Sequence, residues 1–118
     1  MTPAEQRGAA TAELALSIPL LVSVTIGLVW LLGIGVAQVR MVDAAREAAR
    51  AVARGDAVAE AESRGEQIAP PGARVAVAVS DGRAVATATG SVPAPGGLFG
   101  FLPAVALHAE AVAAAESP

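Results

Sequence analysis

The chain has 118 residues, a formal net charge of −3, 54% apolar residues and no cysteine. That length fits one small domain, and without cysteine neither a disulfide framework nor a thiolate site is available, which leaves the redox compartment unreadable. The basic residues are all arginines, with no block of them beside aromatics, and Trp30, Phe99 and Phe101 are the sole aromatics, so neither nucleic-acid binding nor a large enclosed substrate pocket is expected.

Leu14 to Val39 dominates the N-terminal part: 26 uncharged, mostly apolar residues. A helix rises about 1.5 Å per residue, so they would reach about 39 Å against a hydrocarbon core of about 30 Å. The stretch is expected to cross a membrane, with tilt or an emerging C-terminal end taking up the excess. Ser17, Ser23 and Thr25 can bond back to helix carbonyls, Gln38 is the remaining strongly polar side chain, and Pro19 would bend the helix in its first third. Ser23 and Gly27 form a small-xxx-small step that would admit a second helix. A secretory signal peptide is the competing reading, since Gly35-Val36-Ala37 offers small residues where a signal peptidase reads. The length of the run and the acidic Glu5 and Glu13 before it weigh for a membrane helix.

Residues 40–68 read as an amphipathic helical extension, with Val42, Ala45, Ala49 and Val52 on one face. Arg46, Arg50 and Arg54 make a basic stripe, partly balanced by Asp43 and Glu47. A solvated face is its plain reading, with subunit or lipid-headgroup contacts as the alternative. Gly55-Asp56 marks a break or kink before an alanine-rich piece from Ala57 to Ile68, and Glu60, Glu62 and Glu66 lie on its polar, solvated face. Pro70-Pro71-Gly72 ends it.

Residues 73–118 read as a small antiparallel β domain. Arg74 to Ser80 and Arg83 to Gly90 alternate large and small side chains around Asp81-Gly82, a two-residue hairpin signal. Leu107 to Ala115 has helix propensity in its alanines, yet a lone hairpin is marginal in water, so a third strand is favoured there. The fold class is therefore α+β: a long N-terminal transmembrane helix continuing into an amphipathic helix, then an antiparallel sheet of two or three strands.

Little here supports chemistry. His108 is the single histidine and has no partner at metal or triad spacing, so no catalytic residue, metal ligand or cofactor is assigned and a non-enzymatic role is expected. Gly33-Ile34-Gly35 lies within the apolar run and follows no strand, which rules out a dinucleotide loop. Leu98, Phe99, Phe101 and Leu102 stand together in a glycine-rich loop. They either cap a small core or form a docking patch for a partner.

The residues before the apolar run, Arg7-Gly8-Ala9-Ala10-Thr11-Ala12-Glu13, look like the processing site of type IV prepilins. With Leu14-Ala15-Leu16, Pro19-Leu20-Leu21 and Ala44-Ala45-Arg46-Glu47-Ala48-Ala49-Arg50, the first 55 or so residues resemble the TadE-like pseudopilins of the tight-adherence (Flp, type IVb) pilus system. The resemblance implies that a prepilin peptidase cuts between Gly8 and Ala9, removing a leader of residues 1–8 and leaving residues 9–39 as the mature membrane helix. It also implies that Glu13 guides assembly by pairing with a freed amine. An acidic residue in apolar surroundings costs about 3 kcal/mol at the bilayer centre and less near its edge, so it wants a cation. The amine of Ala9 would lie about 6 Å along the axis. An ordinary acidic residue in the first helical turn is the alternative for Glu13.

A minor pilin or pseudopilin taking part in pilus assembly or a related secretion apparatus is thus expected. Its partners would be the membrane, the prepilin peptidase, other pilin subunits and the secretion platform, with no nucleic acid and no small-molecule substrate. The alternative is an unprocessed single-pass membrane-anchored accessory or binding protein. The resemblance places the C-terminal domain outside the cytoplasm, in the cell membrane at first and in an extracellular pilus after processing. Arg40, Arg46, Arg50 and Arg54 follow the apolar run while Arg7 alone precedes it, and the positive-inside rule points the other way.

Overall fold

The computed structural model describes residues 2–115 as a rod with principal extents of 87 × 20 × 19 Å. One helix, α1 (Pro3–Ala53), runs most of its length. Thr2 caps it through a reciprocal box with Glu5, and Pro3 occupies the first turn, where its missing N–H costs nothing. α1 continues unbroken through Pro19, and the hydroxyls of Ser17, Ser23 and Thr25 donate to the carbonyls of Glu13, Pro19 and Leu21, as expected for polar groups that must be satisfied within the helix. The helix is long and apolar enough to cross a membrane, and its N-terminal half is bare of other protein: Leu14, Leu16, Ile18, Leu20, Leu21 and Val22 are all exposed.

α1 ends where the sequence places a break. Asp56 N–H donates to the Ala51 carbonyl and Gly55 N–H to that of Val52, a Schellman closure that needs Gly55 at a positive φ of 106°. The chain then reverses. Helix α2 (Val58–Ile68) lies back against α1, so the break at Gly55-Asp56 turns the helical residues of 40–68 into a hairpin. Gly65 permits the close approach: a Cβ there would fall 3.2 Å from the Ala44 carbonyl oxygen and 3.3 Å from the Ala48 Cβ. Arg54 and Arg64 both reach Glu47 and Asp56 at 3.3–3.8 Å across this turn. These exposed pairs add little stability individually.

Three strands follow, β1 (Arg74–Ser80), β2 (Arg83–Val92) and β3 (Val105–Ala114), in the antiparallel order β1-β2-β3. Asp81 and Gly82 both have positive φ, at 49° and 72°, which is the two-residue turn their sequence signals. Residues 105–114 are strand despite their alanines, because pairing with β2 along the full Arg83↔Ala114 to Val92↔Val105 register outweighs helix propensity. One face of the sheet lies on α1. It carries Val75 and Val77 from β1, Ala84, Ala86 and Ala88 from β2, and Leu107, Ala109, Ala111 and Ala113 from β3. The larger residues of β2, Val85, Thr87 and Thr89, therefore point away from the helix, and the alanines between them form the core. Period-two alternation does not say which face is inward.

On the α1 side the core is Ala37, Met41, Ala44, Ala45, Ala48 and Ala49. Among the described residues, Met41 is the one large side chain that is fully buried. Around it alanine methyl groups are the main filler, with Val75 and Leu107 from the sheet.

Candidate functional site

Gly8 and Ala9 lie in the second turn of α1, exposed, and a Cβ built at Gly8 meets no atom within 4 Å. The peptide bond between them is thus accessible but helical. A peptidase that reads extended backbone would have to unwind the first two turns, and Gly8 weakens the helix there by about 1 kcal/mol relative to alanine. Glu13 follows just over one turn later, exposed, and forms no ion pair among the described residues. Gly8, Ala9 and Glu13 are all more than two turns from the nearest residue that the domain covers. The structure leaves the three residues on one open stretch of helix.

The loop patch is divided. A 3₁₀ turn at Gly97–Phe99 presents Phe99 to α1, where its ring lies 3.0 Å from the position of a Cβ on Gly27. Gly27 is therefore a seat for the protein's own loop, and the small-xxx-small step with Ser23 is filled from within the chain. One turn along, the Trp30 indole N–H donates to the Pro93 carbonyl at 3.1 Å, and the Gln38 amide donates to the His108 carbonyl at 3.1 Å. Phe99 and Leu102 are half-buried, whereas Leu98 and Phe101 are 66% and 80% exposed. Two of the four residues thus turn toward the protein, Phe99 against α1 at Gly27, and two face outward. His108 is exposed on the outer face of β3, paired with Thr89.

These contacts bear on the signal-peptide reading. Ala37 is buried under the sheet, and Gly27, Trp30 and Gln38 all hold the C-terminal domain. A cut after Ala37 would remove Ala37 and the seats at Gly27 and Trp30, while Gln38 and the core residues from Met41 to Ala49 would stay with the sheet.

Sequence reasoning assigned Glu62 and Glu66 to solvent, and the structure gives them a second task. The Val77 N–H donates to Glu62 Oε2 at 2.8 Å and the Val75 N–H to Glu66 Oε1 at 3.4 Å. Both amides lie on the free edge of β1, so α2 closes half of an edge that would otherwise invite strand addition. Their i, i+4 spacing was the available signal, since it matches the two-residue repeat of outward amides at about 6–7 Å.

No curated protein and no solved structure matches the chain. Residues 8–50, which hold Gly8, Ala9, Glu13 and the helical half of the core but not the loop patch, match the family model described as TadE-like protein, the family that the residues around Gly8 resemble.

Proposed function

We propose that this protein is a non-enzymatic minor pilin or pseudopilin of a type IVb (Flp) pilus or a related secretion apparatus. The family match over α1 carries the reading, together with the form of that helix: an N-terminal half free of protein cover, with a small domain fastened to its other half. In this reading a prepilin peptidase removes residues 1–8, and the new amine of Ala9 pairs with Glu13 of its own or a neighbouring chain. The apolar stretch that first lies in lipid then packs among other pilin subunits at the secretion platform. The exposed position of the Gly8–Ala9 bond and the unpaired carboxylate of Glu13 suit these roles. The domain lies on the extracytoplasmic side.

Two observations favour the other reading, an unprocessed membrane-anchored accessory protein. Thr2 and Glu5 form a complete cap on the helix upstream of Gly8, and the exposed arginines Arg40, Arg46 and Arg50 follow the span.

Mass spectrometry of the N-terminus of protein extracted from membranes of cells that hold the peptidase separates the two. A start at Ala9 that disappears in Gly8→Leu supports the pilin reading, and an intact N-terminus ends it. Reporter fusions after residue 118 give the orientation.

A further inference from the structure

We propose that the loop from Pro93 to Pro103 is a membrane foot, which places Leu98 and Phe101 among the lipids of the leaflet on the domain's side. This rests on the reading that α1 crosses the membrane. If the helix enters the hydrocarbon near Ala9 to Glu13, then about 20 residues at 1.5 Å each carry it to the neighbourhood of Trp30 before the roughly 30 Å core is crossed. The loop is fastened at that level, with Phe99 on Gly27 and Trp30 bonded to Pro93. Phe99 shares one shallow apolar groove with Val24, Leu28 and Leu31 of α1, and those three helix residues are exposed, as are Leu98 and Phe101 in the turn that carries Phe99.

The loop's composition is an independent observation. From Val92 to Leu107 no residue carries a polar side chain, whereas the rest of the domain places Arg, Asp, Glu, Thr, Ser or His every few residues. A solvated loop, with the strand ends that flank it, has no reason to exclude polar groups over such a run. Irregular backbone is costly in the hydrocarbon itself because its N–H groups go unsatisfied. This loop reduces that cost with Pro93, Pro95 and Pro103, which carry no N–H, and with the turn bonds from Gly100 N–H to the Gly97 carbonyl and from Leu102 N–H to that of Phe99. The remaining amides are supplied by water at the headgroup level, where the single tryptophan also sits by the usual preference of that side chain. The occupant of the patch is therefore lipid, and the loop fixes how deep the helix sits.

The chain has no cysteine, so single sites can be spin-labelled without altering the background. Full-length protein carrying Phe101→Cys, Leu20→Cys or Ser80→Cys, each with a nitroxide, is reconstituted into phosphatidylcholine–phosphatidylglycerol vesicles. The accessibility of each label to oxygen and to a water-soluble nickel chelate is then measured. Position 101 should resemble position 20, with an oxygen-to-chelate ratio several-fold above that of position 80, near the far turn of the sheet. A chelate-accessible label at 101 overturns the foot, and so does a label shielded from both reagents, which would mean that a second copy of the chain covers the patch. Chelate access at position 20 would instead overturn the membrane span itself. Leu98→Cys gives the same readout if the Phe101 variant does not fold.

Discussion

Replacing Glu62 by alanine tests whether α2 guards the edge of the sheet. The substitution removes the acceptor of the 2.8 Å bond from Val77 N–H, in a half-buried position that water reaches only in part. A hydrogen bond to a charged group contributes about 1.5–3 kcal/mol, and partial solvation reduces this, so a loss of about 1–2 kcal/mol is expected. Glu62→Gln retains a neutral acceptor and should lose about half as much. Glu66→Ala, whose bond is 3.4 Å long, should lose about 0.5 kcal/mol. The assay is amide hydrogen exchange on the full-length protein in micelles, with urea unfolding alongside. At about 1.4 kcal/mol per factor of ten, the Val77 amide should exchange about 5- to 30-fold faster in Glu62→Ala, while amides of β3 change only by the global loss. An unchanged Val77 rate in that variant would show that the carboxylate is a bystander. The double variant should also form dimers or larger species more readily at high concentration, because two outward amides become free to accept a strand.

Three further outcomes follow from the packing. Met41→Ala should destabilise the domain by about 2–5 kcal/mol, since it truncates the largest fully buried side chain among the described residues in a core otherwise built mainly of alanine, while Met41→Leu should cost under about 1.5 kcal/mol; urea unfolding followed by circular dichroism distinguishes them. Gly65→Ala gains about 1 kcal/mol of helix propensity but sets a methyl 3.1–3.3 Å from Val75, Ala44 and Ala48, and a net loss of about 1 kcal/mol is expected, read as a lower urea midpoint. Gly27→Leu should expel Phe99 and with it the bond from Trp30 to Pro93, visible as a shift in the emission of the single tryptophan, whereas Gly33→Leu, with open space around it, should leave the emission unchanged.

Local chemistry made much of the fold readable. The run from Leu14 to Val39 carries its helix in its hydropathy, Gly55 ends it, and Asp81-Gly82 dictates its turn through the positive φ angles it allows. The stability argument for a third strand succeeded where the propensity of its alanines pointed elsewhere. What stayed hidden depends on close approach between segments distant in sequence. Gly65 leaves no pattern in the chain, and Gly27 shows only a small-xxx-small step that does not say what fills it, yet the two permit the close approach of α2 and of Phe99 to α1. Glu62 and Glu66 show only an i, i+4 spacing that an ordinary solvated helix face shares, until the strand edge arrives beside them. The residues around Gly8 were legible only through family resemblance, because an exposed glycine near a helix start has no physical signature of its own.

The alanine seam between α1 and the sheet has a mechanical consequence. Alanine has no rotamers to lose and no long side chain to slide past a neighbour, so a seam of Ala44, Ala45, Ala48 and Ala49 against Ala86, Ala88 and Ala109 joins the two layers with little play. With the contacts at Gly27, Trp30 and Gln38 added, the sheet is clamped to α1 over nearly half of its length. A twist or axial pull applied to the bare N-terminal half is passed to the domain as to the head of a rigid key.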